Sequence, residues 1–204
     1  MKPEAPGRLF DLRDRVVVVT GGLGQLGREF CAALVEHGGR VAVLDSAEPG
    51  GEFAAHGGRV ACFRADVTRR DSLGKALGAI RERWESPGAL VNAAALDSPP
   101  DAPPSENGPF ESYPERSWDR VMEVNVKGVM LCCQVFGGAM AAAGGGAIVN
   151  ISSIYGLVSP DQRLYEYRRQ RGEEFFKPVA YSTSKSALLN LTRYLATYWA
   201  PRNV

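Results

Sequence analysis

A glycine-rich turn between two short apolar segments near the start of the chain limits the possible folds more than any other feature. Residues 15–20 are rich in β-branched side chains, which is typical of a strand buried on both faces. The turn at residues 21–27 leads into a segment with helical spacing that ends at Gly38 and Gly39, and residues 40–45 form a second apolar run. This order predicts a βαβ unit, whose parallel strands belong to a sheet with helices on both faces.

The glycine turn predicts a dinucleotide site. Residues 22–27 form a GxGxxG pattern with a strand before it and a helix after it. Glycines let the backbone approach a pyrophosphate, whose charge is met by the N-terminus of the helix. Asp45 lies at the end of the second strand, close to the offset expected of a carboxylate that accepts hydrogen bonds from both ribose hydroxyls. Because Asp45 would repel a 2′-phosphate, NAD is favoured over NADP, unless Arg40 or Arg64 intervenes.

The rest of the chain continues the same alternation. Further strands are predicted at residues 58–65, 89–95 and 146–153. Helical spacing predicts helices over residues 71–84 and from residues 114–117 into the Ala/Gly-rich residues 137–146. A chain of 204 residues with this alternation fits a single Rossmann-type α/β domain over residues 1–204, with a doubly wound parallel sheet in a three-layer αβα arrangement.

Three features near the strand ends each have two interpretations. Asp66 either binds an adenine amino group or caps the following helix, although Thr68 and Asp71 lie nearer the start of that helix. The small residues 93–95 either let a cofactor lie against the fourth strand or pack tightly at its end. Asn125 has apolar neighbours and needs hydrogen-bond partners, so it is either a structural amide that bends its helix or part of a polar site.

Two segments have no periodicity. Residues 96–114 are rich in Pro, Ser, Asp and Asn, and we expect a mobile loop near the mouth of a site. Residues 154–178 are rich in charged and aromatic side chains and delay the start of the last helix. They form either a solvated surface segment or a substrate lid whose arginines bind a phosphate or a carboxylate.

Tyr181 and Lys185 are four residues apart at the start of the last predicted helix, which continues through Leu195. Residues with this spacing lie side by side on one helix face. An adjacent ammonium favours the phenolate form of a tyrosine. The pair is therefore suited to exchange a proton with an alcohol or a ketone near neutral pH, although a Tyr and a Lys on the solvated face of a helix have the same spacing.

Composition excludes several function classes. The formal net charge of +1 gives no electrostatic reason to expect binding to nucleic acid or to a membrane surface. Residues 1–14 lack the apolar core of a signal peptide, and no window is expected to approach the apolar length of a membrane span, so we expect a soluble cytoplasmic protein. Four cysteines without CxxC spacing and two histidines predict buried, reduced thiols and no metal site.

Taken together, these residues resemble the short-chain dehydrogenase/reductase family, from Leu12 to Val204. The matching motifs are TGGLGQLG at 20–27, Asp45, Asp66-Val67, VNAAA at 91–95, VNVKG around Asn125, IVNISS at 148–153 and YSTSK at 181–185. The resemblance implies that Tyr181 is the general acid/base, that Ser153 orients the substrate oxygen, and that Asn125 holds a water in the proton relay. Lys185 would bind the nicotinamide ribose and favour the phenolate. The cofactor-binding set then comprises Gly21, Gly24, Gln25, Leu26, Gly27, Asp45, Asp66, Val67, Asn92, Ala93, Ala94, Tyr181 and Lys185.

The chain departs from the family pattern in three places. Gln25 stands where many members have glycine, so that the turn reads TGxxGxxG, as in the sugar-nucleotide branch of the superfamily. Residues 92–95 read NAAA where NNAG is usual. The spacing from Ser153 to Tyr181 is much longer than in most relatives, because of an insertion at about residues 157–178. The insertion resembles bacterial members associated with flagellin-modification and surface-polysaccharide sugar pathways, which implies a sugar or nucleotide-sugar substrate.

The resemblance also bears on size and assembly. Family members continue beyond the last helix with a sixth strand and further elements, which predicts a C-terminally truncated domain that lacks the last strands of its sheet. The helices at 117–143 and 179–199 resemble those that pair across the family's two-fold interface, which predicts a homodimer or homotetramer. The alternative is that both helices only cover the sheet.

Three functional hypotheses follow. The first is an NAD-dependent oxidoreductase that moves a hydride between nicotinamide and a small-molecule alcohol or ketone, with a sugar or nucleotide-sugar as the specific case. The second is a sugar-nucleotide epimerase or dehydratase, which would retain NAD and recycle the hydride. The third is a non-catalytic NAD-binding module. Release of NADH separates the first from the second, and mutation of Tyr181 separates both from the third.

Overall fold

The computed structural model describes residues 10–97 and 104–204. Within these residues, one parallel sheet contains the strands β1 (Val16–Thr20), β2 (Arg40–Asp45), β3 (Val60–Arg64), β4 (Ala89–Asn92) and β5 (Ala147–Asn150). Their order across the sheet is β3-β2-β1-β4-β5. Because the order reverses at β1, a crevice lies between the carboxyl ends of β1 and β4.

The helices of the described residues are α1 (Gln25–Glu36), α2 (Arg70–Arg83), α3 (Pro104–Asn107), α4 (Glu115–Ala143), α5 (Glu166–Arg169) and α6 (Val179–Trp199). Helix α4 is continuous and consists of the α-helical segments Glu115–Met122, Val129–Cys132 and Gly138–Ala143 and the π-helical segments Glu123–Gly128 and Cys133–Gly137. Short 3₁₀ segments occur at Ala54–Arg59, Phe110–Ser112, Ile154–Gly156, Gln162–Tyr165 and Ala200–Arg202.

Each face of the sheet has its own apolar core. On one face, Val17 and Val19 pack with residues of α1 such as Cys31. On the other face, Val16 and Val18 pack with residues of α2, α4 and α6. A central parallel strand needs apolar side chains on both faces, which explains the uninterrupted run of valines in β1. The predicted Rossmann-type α/β fold with three layers is confirmed.

Strands β4 and β5 end earlier than the sequence predicted. The hydroxyl oxygen of Thr20 accepts hydrogen bonds from the backbone N–H groups of Ala93 and Ala94, both at 3.2 Å. These N–H groups are therefore bound to a side chain in place of a neighbouring strand. The last link between β4 and β5 is a bond of 3.1 Å from Ile151 N to Asn92 O. Beyond it, both chain segments leave the sheet and form the rim of the crevice.

Helix α4 is more apolar than the sequence analysis recognised. Among the described residues, it is the one helix that is long and apolar enough to span a membrane by length and composition. More than half of its most apolar window is buried within the molecule, with Phe136 and Met140 fully enclosed in the core. The prediction that no window approaches the length of a membrane span is therefore wrong for α4. Its position against the sheet accounts for the apolar composition.

The first segment without periodicity contains short helical elements. Helix α3 and the turn Phe110–Ser112 lie within residues 96–114. Residues 98–103 lie outside the described residues, so the predicted mobility of this loop stays a prediction.

The second such segment, which includes the insertion, folds onto itself and buries Phe175. Arg169 donates hydrogen bonds to the carbonyl oxygens of Gln162, at 2.8 Å, and Phe175, at 3.0 Å, and it pairs with Glu166. The backbone N–H of Phe176 bonds to the carbonyl oxygen of Asn107 in α3 at 2.9 Å. The insertion is thus a folded segment, and the partners of Arg169 all belong to the segment itself.

Candidate active site

A cleft of about 580 Å³ occupies the crevice at the carboxyl ends of β1 and β4. Most of the predicted cofactor residues line it: Gly21, Gly24, Gln25, Leu26, Gly27, Asp45, Asp66, Val67, Ala93, Ala94, Tyr181 and Lys185. Ser152, Val124 and Asp97 also line the cleft, and the sequence analysis did not predict them. The parallel sheet brings these residues together because every strand ends at the same edge.

The glycine turn leaves no room for side chains. Gly21 has a φ of +65°, and a Cβ there would lie 2.7 Å from the Cα of Ala94. A Cβ on Gly27 would lie 2.1 Å from the carbonyl oxygen of Gly21. Gly24, the N-cap of α1, provides no side-chain cap, so the first N–H groups of this 12-residue helix have no side-chain partner from it. This bare backbone at a helix N-terminus fits a pyrophosphate.

Asp45 is held at the edge of the cleft by backbone donors. Its Oδ2 accepts a hydrogen bond of 3.1 Å from Leu23 N in the glycine turn, and its Oδ1 accepts one of 3.1 Å from Ala47 N. The two arginines considered as alternatives pair elsewhere, Arg64 with Glu48 and Arg40 with Asp14. The carboxylate therefore faces the cleft without an ion pair to either arginine, which favours two ribose hydroxyls over a 2′-phosphate.

Asp66 forms a local turn and does not cap α2. Its Oδ1 accepts hydrogen bonds from Thr68, at 2.9 Å from the backbone N and 2.7 Å from Oγ1, and its own N–H bonds to Ser72 Oγ at 3.0 Å. The N-cap of α2 is Arg69, which makes no side-chain cap. The capping interpretation is therefore wrong. Asp66 lines the cleft, and its contact with an adenine amino group stays a prediction.

Asn125 is almost fully buried in the first π-helical segment of α4. Its Oδ1 accepts a hydrogen bond of 2.7 Å from Leu96 N, and its Nδ2 donates to Leu96 O at 2.9 Å and to Ser184 Oγ at 3.0 Å. One amide thus ties the segment after β4 to α6, next to Lys185. Asn125 therefore belongs to a polar cluster, in a segment where α4 departs from α geometry.

Tyr181 and Lys185 face the cleft from the first turns of α6, which begins two residues before Tyr181. Lys185 Nζ lies 5.8 Å from the centre of the Tyr181 ring and donates a hydrogen bond of 2.7 Å to Ile151 O. Burial lowers the pKa of Lys185, while the nearby carboxylate of Asp97 opposes this shift. The predicted arrangement of a phenol beside an ammonium is therefore present in the folded chain.

Three predicted site residues do not line the cleft. Ser153 Oγ accepts a hydrogen bond of 3.2 Å from Tyr155 N and caps the turn Ile154–Gly156. Asn92 is buried, with Nδ2 donating to Asn150 Oδ1 at 2.8 Å. Asn125 has the contacts described above. The adjacent Ser152 does line the cleft, and its Oγ donates to Lys185 O at 2.8 Å.

An ion pair that the sequence analysis did not predict lies beside Tyr181. Lys177 Nζ is 2.7 Å from Asp97 Oδ1 and 4.9 Å from the centre of the Tyr181 ring. The two charged residues are 80 positions apart, in the two segments without periodicity. The local sequence gives one indication of where Lys177 lies. Pro178 follows it directly and marks the start of α6, which carries Tyr181.

The cysteines are free thiols, and three of the four are buried. Burial raises the pKa of Cys31 to about 12 and that of Cys133 to about 11, so both are protonated near neutral pH. The predicted buried, reduced thiols are confirmed for Cys31, Cys132 and Cys133. In residues 10–97 and 104–204, no group of three or more His, Cys, Asp or Glu side chains is arranged to hold a metal ion.

Comparisons with known proteins agree with this geometry. The sequence model of the family described as short chain dehydrogenase matches residues 15–166. An NAD-dependent glycerol dehydrogenase of Listeria innocua is 32% identical over 197 residues, which cover 96% of this chain and 68% of that protein. A D-threitol dehydrogenase of Mycolicibacterium smegmatis is 30% identical over 204 residues, with the same coverage of both chains. The crystal structure of a short chain dehydrogenase from Leptospira borgpetersenii with bound NAD⁺ superposes with a TM-score of 0.81 at 27% identity, covering 99% of this chain and 71% of that one.

Proposed function

The chain belongs to the short-chain dehydrogenase family, and from this membership we propose that its cleft catalyses the NAD-dependent interconversion of a polyol or sugar alcohol and the corresponding carbonyl compound. The observation that carries the proposal is the Tyr181–Lys185 pair, which faces the same cleft as the glycine turn. Two similar proteins are named for the oxidation of glycerol and threitol, which supports a small polyhydroxy substrate.

The residues of the cleft fit NAD. The bare backbone from Gly21 to Gly27 would hold the pyrophosphate, Asp45 the adenosine ribose, and Lys185 the nicotinamide ribose. When bound, NAD supplies a nicotinamide ring that accepts or returns a hydride.

Tyr181 moves the proton. In the oxidative direction, its phenolic oxygen takes the proton of the substrate hydroxyl, and in the reductive direction it returns a proton to the carbonyl oxygen. The Lys185 ammonium lies 5.8 Å from the ring centre, one helical turn from Tyr181 on the same face of α6. Ser153 is proposed to orient the substrate oxygen. This requires its hydroxyl to donate to the substrate while its oxygen still accepts from Tyr155 N.

The proposed link to a sugar-modification pathway rests on the insertion alone. Its resemblance to members linked with flagellin-modification and surface-sugar pathways supports a sugar or nucleotide-sugar as the larger substrate. The names of the two curated relatives favour a simple polyol instead. We therefore place simple polyols first and nucleotide-sugars second.

The test is NADH formation by the wild type and by Tyr181→Phe, with glycerol, D-threitol and sorbitol as substrates. We expect Tyr181→Phe to lower kcat by about 10²- to 10⁴-fold, because the general base is lost. Calorimetry should show that Tyr181→Phe still binds NAD, and that the wild type binds NADP more weakly than NAD. Tyr167→Phe, at an exposed tyrosine of the insertion, is the matched control and should keep wild-type turnover.

The outcomes separate the three hypotheses. Turnover of Tyr181→Phe at the wild-type rate would show that the proton assignment is wrong. NAD binding by the wild type without NADH formation from any alcohol would identify a non-catalytic NAD-binding module. NAD that stays bound while a nucleotide-sugar is epimerised or dehydrated would identify the second enzyme class.

A further inference from the structure

The insertion places a second lysine beside the proposed catalytic tyrosine. Lys177 Nζ lies 4.9 Å from the centre of the Tyr181 ring and 2.7 Å from Asp97 Oδ1. The side chain of Lys177 is only 10% exposed, whereas that of Asp97 is 52% exposed and lines the cleft together with Tyr181 and Lys185. An ammonium and a carboxylate therefore stand together beside the ring of Tyr181, with the carboxylate in the cleft and the lysine at the edge of a neighbouring cavity.

The backbone of Lys177 is fixed on both sides. The side chain of Gln162 accepts a hydrogen bond of 2.9 Å from Lys177 N and donates one of 3.1 Å to Lys177 O. Pro178 follows directly and begins the turn into α6. Since the segment is also bonded to α3 through Phe176 N, the ammonium is held in place by the folded insertion.

Stability is a weak reason for this ion pair. Removing two charges from water costs free energy, and apolar replacements of buried ion pairs are often neutral or stabilising. A pair that is largely buried on its lysine side and open on its carboxylate side is better suited to binding a polar group that arrives through the cleft. The carboxylate has about four acceptor positions and the ammonium has three N–H donors, so each can bind a ligand while keeping the other as partner.

We propose that Lys177 and Asp97 form a specificity-determining subsite, which binds the hydroxyl on the carbon next to the reacting carbon and so selects neutral vicinal diols. A hydroxyl both donates and accepts, so it can bind Asp97 and Lys177 at once. The pair is neutral as a whole. An anionic substituent would compete with Asp97 for Lys177, and a cationic one would compete with Lys177 for Asp97, whereas an uncharged hydroxyl can bind both without separating the pair. The inference rests on the proposed function and specifies its substrate class.

The test compares 2,3-butanediol with 2-butanol, which have the same carbon skeleton and differ by the neighbouring hydroxyl. For the wild type, we expect kcat/KM for the diol to exceed that for the mono-alcohol by about 10- to 100-fold, since a hydrogen bond to charged groups is made with the diol alone. Lys177→Met and Asp97→Asn should lower this ratio towards one, mainly through loss of activity with the diol. Lys177→Arg keeps the charge and the donors and should keep most of the preference.

The matched control is Lys127→Met. Lys127 pairs with Glu123 at 3.1 Å on an exposed face of α4, so this variant also removes a lysine from an ion pair and should leave the ratio unchanged. Circular dichroism and NAD affinity check that each variant is folded. An unchanged ratio in folded Lys177→Met, or a wild type without preference for the diol, would overturn the subsite while leaving the proposed oxidoreductase function in place.

A second measurement does not depend on turnover. Acetylation of individual lysines by acetic anhydride is followed by mass spectrometry in the presence of NAD, with and without each alcohol. The diol should protect Lys177 and not Lys127, and 2-butanol should protect neither. If no alcohol gives NADH, the proposed function fails, and protection of Lys177 by the diol still decides whether the subsite exists.

Discussion

Asn125 shows how one side chain sets the geometry of a polar site. Its three hydrogen bonds reach the segment after β4 and the first turns of α6, and the residue is almost fully enclosed. A buried amide without partners would cost about 1–3 kcal/mol for each unmade bond, so these contacts hold both segments in register. The order of the cleft wall thus depends on a residue that does not itself line the cleft.

Lys185 differs from Asn125 because it carries a charge that is buried in the protein. Its ammonium has one backbone acceptor, Ile151 O, and lies near the phenol of Tyr181 and the carboxylate of Asp97. Burial lowers the pKa of Lys185 below its usual 10.5. The charge is useful at the site and destabilises the folded chain.

This cost predicts a pH dependence of stability. Because the folded-state pKa of Lys185 lies below 10.5, the unfolded chain binds more protons at this residue in the window between the two values. The free energy of unfolding of the wild type should therefore rise with pH across this window. Lys185→Met has no ionisable side chain at this position and should not show this rise.

Urea unfolding of both proteins between neutral pH and about pH 10 measures this difference. The buried cysteines have raised pKa values and work in the opposite direction, but they are present in both proteins and cancel. If the free energies of unfolding of wild type and Lys185→Met changed with pH in the same way, the buried charge of Lys185 would not be destabilising.

Among the structural elements, the turn Ile154–Gly156 and helix α6 are packed without space between them. Ser186 Oγ donates a hydrogen bond of 2.8 Å to Gly156 O, and Ser152 Oγ donates to the carbonyl oxygen of Lys185. A Cβ on Gly156 would lie 2.7 Å from Ser152 Oγ and 2.8 Å from Lys185 O. The absence of a side chain at Gly156 therefore sets how closely the segment after β5 approaches the helix that carries Tyr181.

We expect Gly156→Ala to destabilise the fold by about 1–3 kcal/mol, the usual cost of overpacking. It should also lower kcat, because Lys185 and its helix must shift. Gly78→Ala is the matched control, since Gly78 lies inside α2 with open space around its Cβ position, and it should stabilise by about 0.5–1 kcal/mol. Thermal unfolding and NADH formation measure both effects, and equal behaviour of the two variants would show that the contact at Gly156 is unimportant.

At the scale of the whole molecule, one exposed apolar surface extends over α4 and α6, the two longest helices of the described residues. Tyr194 and Tyr198 of α6 stack with ring centres 5.9 Å apart and are more than half exposed, and Met130 of α4 is exposed nearby. Together with Leu191 and Leu195, these side chains line a cavity of about 590 Å³. A face of this kind suits the homodimer or homotetramer that the resemblance to the family implies.

We expect the chain to sediment as a dimer or larger oligomer and Tyr198→Glu to dissociate it, because a charge placed in an apolar contact loses its hydration without a partner. Tyr167→Glu is the matched control, since Tyr167 and Tyr198 are both 54% exposed and Tyr167 lies in the insertion. Sedimentation equilibrium measures the change. A wild-type monomer, or an oligomer unaffected by Tyr198→Glu, would show that α4 and α6 only cover the sheet.

Local patterns in the sequence were sufficient for the architecture. The valine run of β1, the glycine turn and the acid at the end of β2 predicted the parallel sheet and the position of its cleft. The spacing of Tyr181 and Lys185 predicted their common face on α6. These inferences succeed because burial repeats with the period of each strand or helix, and because parallel strands all end at one edge.

Only the tertiary structure decided which distant side chains meet. Lys177 and Asp97 are 80 residues apart in segments without periodicity, and nothing in either segment alone indicates the other. The sequence likewise left two interpretations of Asn125 and of Asp66, and it did not reveal that Arg169 binds within the insertion. Such contacts depend on where separate backbones come to lie, which is settled by packing of the whole chain, whereas periodicity reports only which face of each element is buried.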